Sequence, residues 1–172
     1  VGRRAALLLC VDVNNEENMG ALVRAAAGLG ADAVVLGERC CDAFSRRALR
    51  VGMGAAFALP VVQSADLLAD AAGLKGKWGV ELVATTPDAG AVDLRRARRP
   101  ERLGLIVGSE ADGLPPEWLA LADQRVRIPM RRGVDSLNVA VAAGVCLHWL
   151  MPDKSDTSGL SEASGAGFNR PA

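Results

Sequence analysis

The sequence predicts an α/β fold with a mostly parallel sheet covered by helices on both faces. Two observations carry this. Short, almost wholly apolar runs such as "AALLLCVDV" and "LGLIVG" alternate with helix-like segments, the pattern of βαβ units. The apolar runs also lack the in–out alternation of a strand with one wet face, so they read as strands buried on both sides.

In chain order, Ala5–Val13 is read as a buried strand. Asn18–Gly30 is a helix with Asn18 as N-cap and Gly28 or Gly30 at its end. Asp32–Gly37 is a second strand, Asp42–Val51 a helix and Phe57–Val62 a third strand. Ser64–Gly73 is a helix opened by a serine cap. Gly79–Thr86 and Leu103–Gly108 are strands joined by a basic connection over Arg95–Arg102. Pro115–Asp123 is a short helix with proline in its first turn. "RVRIPM" is the last strand, ended by Pro129, and Asp135–Leu150 is a helix apolar nearly all round and therefore buried. One domain is expected over 1–150. From Met151 the composition turns to Ser, Gly and Pro, which predicts a flexible tail over 151–172. The chain starts with Val1 rather than methionine, which reads as a cut inside a longer protein.

Lys+Arg and Asp+Glu are equal at 20 each, so net charge does not point to nucleic acid. Paired arginines at 46–47, 95–96, 98–99 and 131–132 suit phosphate contacts, and suit solvated faces equally well. Cys10, Cys40, Cys41 and Cys146 make no metal-ligand spacing and read as reduced thiols of a cytoplasmic protein. No metal constellation is present, His148 reads as structural, and no run reaches the about 18 apolar residues of a membrane helix.

Parallel sheets with glycine loops suggest dinucleotide binding, but no G-x-G-x-x-G follows the first strand, and neither a P-loop nor a G-x-S-x-G elbow occurs. A nicotinamide-dependent oxidoreductase is therefore disfavoured. Three polar islands remain, each just past an apolar strand, where open α/β sheets bind ligands. The first is Asn18, Gly20 and Arg24; Gly20 leaves room for close approach by a ligand or by backbone. The second is "GSEADG", Gly108–Gly113, carrying Ser109 and Glu110. The third is "DSLN", Asp135–Asn138, whose Ser136 and Asn138 need hydrogen-bond partners, among them the free amides of a helix start.

Together the islands resemble the three motifs of the SpoU (TrmH-like) branch of the SPOUT RNA methyltransferases. N-x-G-x-x-x-R is matched by Asn18, Gly20 and Arg24, the second motif by "IVGSEADG", and the third by "IPMRRGVDSLNVAVAAG", in order across Ala5–Leu150. "SRRALRVGMGAAFALPV" resembles the segment between the first two motifs. The first motif departs from relatives in having "EEN" where Asp-Pro often precedes the asparagine.

The resemblance implies methyl transfer from S-adenosylmethionine to a ribose 2′-hydroxyl of rRNA or tRNA. It further implies a deep C-terminal trefoil knot, RNA as partner, a homodimer with Trp118, Trp149 and the last helix available for the interface, and no metal. By motif, Arg24, Asn18, Glu110, Ser136 and Asn138 would form the catalytic set. Ala84, Thr85, Gly108, Ser109, Ile128, Met130 and Leu137 would form the cofactor pocket. Many relatives carry an RNA-binding domain ahead of this one. A non-catalytic knotted RNA-binding or assembly module is the alternative; a full catalytic set argues against it.

Overall fold

Ala5–Cys10 form β1, the strand around which the sheet is organised. It pairs in parallel with β2 (Ala33–Leu36) on one side and with β6 (Arg102–Val107) on the other. In this computed structural model, which describes residues 4–110 and 112–151, the seven strands run in the order β3-β2-β1-β6-β4-β7-β5, every pair parallel. The remaining strands are β3 (Val61–Gln63), β4 (Glu81–Thr85), β5 (Val92–Asp93) and β7 (Gln124–Arg127). The tail expected over 151–172 lies outside the described residues except for Met151.

Helices cover both faces, as the sequence predicts. On one side Leu8, Cys10, Leu103, Leu105 and Val107 meet α1 (Glu16–Leu29), α2 (Arg46–Val51) and α5 (Val139–Leu150). On the other, Leu9, Leu82 and Ile106 meet α3 (Leu67–Trp78) and α4 (Pro116–Leu121). Neighbouring residues of β1 and β6 thus enter opposite cores, so apolar side chains are required at every position. Each leucine fully buried in this way contributes about 1.5–3 kcal/mol.

Helix starts differ from the sequence reading for a common reason. The cap is the polar residue whose oxygen reaches the free amides, and several adjacent candidates compete. Asn15, not Asn18, caps α1, accepting from the amides of Glu17 at 2.9 Å and Asn18 at 3.0 Å. Asp66, not Ser64, caps α3; Ser64 instead donates to Asp70 at 2.6 Å. The last helix begins at Val139 rather than Asp135, with Asn138 accepting from Ala140 and Val141. β7 ends at Arg127, before Ile128, so Pro129 lies in the following loop rather than stopping the strand itself. Phe57 closes a 3-10 turn ahead of β3, and the supposed connection at Arg95–Arg102 is preceded by β5 and shares a second such turn, Leu94–Arg96.

The last helix is also less enclosed than its composition suggests. Ala140, Ala143, Cys146, Leu147 and Leu150 are buried, but Val141 and Val145 are 53% and 42% exposed, and His148 faces solvent. Among the described residues, cover is supplied for one stripe of α5 only. Trp118, expected at an interface, is 5% exposed inside the second core; Trp149 is half-buried with the Arg99 guanidinium 4.7 Å above its ring.

Gly20 settles the meaning of its motif position. A β-carbon there would lie 2.4 Å from the Ala48 carbonyl oxygen, so the room is taken by the backbone of α2, not by a ligand. Gly20→Ala must push α1 from α2, and a loss of about 1–3 kcal/mol is expected in urea unfolding monitored by circular dichroism.

Candidate functional site

Because all strands are parallel, the carboxyl ends of β1, β6, β4 and β7 stand side by side. The loops leaving them bring together residues that are far apart in sequence.

At the end of β6 the chain doubles back on itself. The Gly113 amide donates to the Ser109 carbonyl at 3.1 Å, and the Asp112 amide donates to Ser109 Oγ at 3.1 Å. Gly108 sits where this loop returns: a β-carbon there would be 2.2 Å from the Gly113 carbonyl oxygen and 2.8 Å from the Leu114 nitrogen. The loop presents Glu110 toward the start of α1 and α5.

There Asn18, Glu110 and Asn138 close a ring of hydrogen bonds. Asn18 Nδ2 donates to Glu110 Oε2 at 2.8 Å, Asn138 Nδ2 donates to Glu110 Oε1 at 2.7 Å, and the same amide donates to Asn18 Oδ1 at 2.8 Å. Since Asn138 Oδ1 must accept from the first amides of α5, its NH2 group is forced toward Glu110. Asn138 therefore caps the helix with its oxygen and clamps the carboxylate with its nitrogen. With Asn15 in the capping role, the Asn18 side chain is free to join this ring.

Ser136 is expected from the sequence to serve the helix start with Asn138. Instead its side chain is exposed and forms no hydrogen bond among the described residues, leaving the hydroxyl at the mouth of a cleft. Arg24 stands apart. It is exposed, six residues beyond Asn18 and so about 9 Å further along α1, and it lines neither cavity at this edge.

The cleft, about 700 Å³, lies between the loops after β4, β6 and β7. Thr85, Gly108, Ser109, Ile128, Met130 and Leu137, residues that the sequence resemblance assigns to a cofactor pocket, line it together. Ala84 is not among the lining residues: it is fully buried in β4, in register with Ile106 and Arg125. Thr85 Oγ1 is anchored by donating to the Ile106 carbonyl at 3.1 Å. Apolar side chains beside loop backbone suit a flat heteroaromatic ring, and the size falls within the range of small-molecule sites. Residues with this character fit the adenosine of S-adenosylmethionine.

Two features at this edge had no clear sequence signal. Cys146, on α5, also lines the cleft, and burial pushes its thiol up to about 12, so it stays protonated and is no nucleophile at neutral pH. A second groove opens on the other side of Glu110. Among the described residues, no three His, Cys, Asp or Glu side chains converge as a metal site, and no helix is long and apolar enough to cross a membrane.

Residues 5–148 match the model of the SpoU rRNA Methylase family. The chain is 46% identical over 139 residues to an uncharacterized tRNA/rRNA methyltransferase of Mycobacterium tuberculosis strain H37Rv, covering 79% of this chain and 48% of that protein. It is 34% identical over 149 residues to the 23S rRNA (guanosine-2′-O-)-methyltransferase RlmB of Haemophilus ducreyi, covering 86% of this chain and 60% of that one. Among solved structures it superposes on the SpoU methyltransferase AviRb from Streptomyces viridochromogenes in complex with AdoMet. The TM-score is 0.79 and the identity 28%, with 87% of this chain and 60% of that one covered. The chain thus spans about half the length of the mycobacterial relative it matches.

Proposed function

Because this chain belongs to the SpoU rRNA methylase family, we propose that it transfers the methyl group of S-adenosylmethionine to a ribose 2′-hydroxyl of ribosomal or transfer RNA. The observation that carries this is the Asn18–Glu110–Asn138 ring at the boundary between the cleft and a second groove. When bound, S-adenosylmethionine supplies an electrophilic methyl on a sulfonium, which departs as a neutral thioether.

The chain's own residues orient and exclude. Ile128, Met130 and Leu137, with Thr85 and Ser109 beside them in the cleft, would hold the adenine. The doubly held Glu110 carboxylate and the free Ser136 hydroxyl fix the ribose; as the new O–C bond forms and the C–S bond breaks, the hydroxyl proton passes to solvent water at this exposed edge. A guanidinium stays protonated, so Arg24 acts by holding the neighbouring phosphate and polarising the hydroxyl rather than as a base.

We further propose a homodimer in which the uncovered stripe at Val141 and Val145 is buried against a second copy. Because Arg24 lines neither cavity of its own chain, its role in this reading requires that a second copy supply it. The trefoil knot implied by the family resemblance is part of this proposal. Four free cysteines suit the cytoplasm, where thiols stay reduced.

Arg24→Ala is expected to lower methyl incorporation into RNA at least about a hundredfold with S-adenosylmethionine affinity by calorimetry unchanged. Near-normal activity of that variant would remove Arg24 from the site. Cofactor binding with no transfer to any cellular RNA would instead favour a non-catalytic module, and NAD binding without S-adenosylmethionine binding would overturn the family chemistry altogether.

A further inference from the structure

The second groove, about 670 Å³, shares Ser109, Glu110, Asp112, Gly113, Leu114 and Val139 with the cleft, so the two are separated by little more than the Glu110 loop. Its far side carries a pair that no motif includes. Asp12, from the loop after β1, and Arg39, from the loop after β2, meet there: Arg39 Nε donates to Asp12 Oδ1 at 2.8 Å and Nη2 donates to Oδ2. Asp12 holds this position with φ of 55°, a left-handed conformation uncommon for a residue with a side chain.

Such a pair contributes little to stability, since the Arg39 side chain is 76% exposed. What it does is orient. With one edge of the guanidinium fixed on Asp12, Nη1 and the second Nη2 hydrogen remain free to donate. Among the described residues, Arg39 is also the one cation lining the groove, whose other charged residues are Asp12, Glu110 and Asp112. The three carboxylates of the groove repel a phosphodiester, and the free N–H edge of Arg39 at the rim is the cationic donor set it can meet there. A nucleotide held by that edge would have its phosphate at Arg39 and its sugar toward Glu110.

Resting on the methyltransferase reading, we propose that this groove receives the target nucleotide of the RNA. Arg39, aimed by Asp12, is a positioning residue that grips the phosphate beside the reacting ribose. It is not a catalytic residue, because it is on the rim away from the transferred group.

The test is steady-state methyl transfer by the full chain, with S-adenosylmethionine and ribosomal plus transfer RNA from cells lacking the gene. Arg39→Ala is expected to raise KM for RNA about tenfold, with kcat within about twofold and cofactor affinity unchanged. The slope of log KM against log salt should fall by about one phosphate contact. Arg39→Lys, which keeps charge but loses the fork, should recover part of the loss. Asp12→Asn, which tolerates left-handed backbone, should raise KM less than Arg39→Ala does; these two variants carry the test should Arg39→Ala fail to fold. Equal KM and salt slope in active variants would sink the groove assignment alone, as would a loss of cofactor affinity in step with kcat. An unsubstituted chain that binds S-adenosylmethionine but methylates no RNA would overturn the functional reading and the groove with it.

Discussion

Asn138→Asp is expected to give a folded protein that transfers methyl groups at least about a hundredfold more slowly. The substitution is nearly isosteric and keeps an oxygen for the Ala140 and Val141 amides, and aspartate caps helices as well as asparagine does. It removes both N–H donors, however, one to Glu110 and one to Asn18. In their place stands a second carboxylate against Glu110, which must turn away. Far-UV circular dichroism should be unchanged, and the stability loss confined to about 1–2 kcal/mol for two exposed hydrogen bonds and a like-charge contact. Wild-type activity in this variant would mean that the ring is structural only. Asn138→Ala would not separate the two roles, because it also uncaps α5 at a cost of about 1 kcal/mol.

Gly108→Ala should produce the largest structural loss of any single methyl group at this edge. The added carbon would stand 2.2 Å from the Gly113 carbonyl oxygen, and the obstruction is backbone, which cannot rotate aside. Either the Ser109–Gly113 tie opens or the end of β6 moves. A loss of about 1–3 kcal/mol is expected, read as a Tm drop of roughly 2–9 °C. Because the same loop lines the cleft, affinity for S-adenosylmethionine should fall at least about tenfold when the loop opens. Gly28→Ala is the matched control: nothing lies within 4 Å of its β-carbon position, it lies within α1, and it should gain about 0.5–1 kcal/mol. Equal behaviour of the two variants would show that the close return at Gly108 does not constrain the loop.

These cases mark the boundary of what the sequence discloses. The strands were legible because β1, β6 and β4 are buried on both faces, which forces uninterrupted apolar runs. The two-residue β5 was not, since it is too short to impose a pattern and precedes a run of arginines. For the cap of α1, "NNEEN" offers three asparagines, and only geometry decides which oxygen reaches the amides.

At the site, each polar island could be seen alone, but its partners could not. Asn18 and Asn138 are 120 residues apart in sequence, and Glu110 is 92 from the first and 28 from the second. The motif resemblance supplied their association; hydrogen bonds supply the reason for it. Asp12 and Arg39 lie 27 residues apart outside every motif, so neither periodicity nor resemblance could have paired them. The solvent-facing stripe of α5 is hidden in the sequence for the opposite reason: its composition is that of a buried helix, and only the fold shows which side is left uncovered.

The central claim is ribose methylation of RNA, and site-resolved mapping of 2′-O-methyl groups tests it most directly. Total RNA would be compared from cells with the gene, without it, and without it but complemented by either the unsubstituted or the Asn138→Asp protein. One ribose mark in ribosomal or transfer RNA should vanish on deletion, return with the unsubstituted protein and fail to return with the variant. An unchanged map, or a change confined to base methylation, would contradict it.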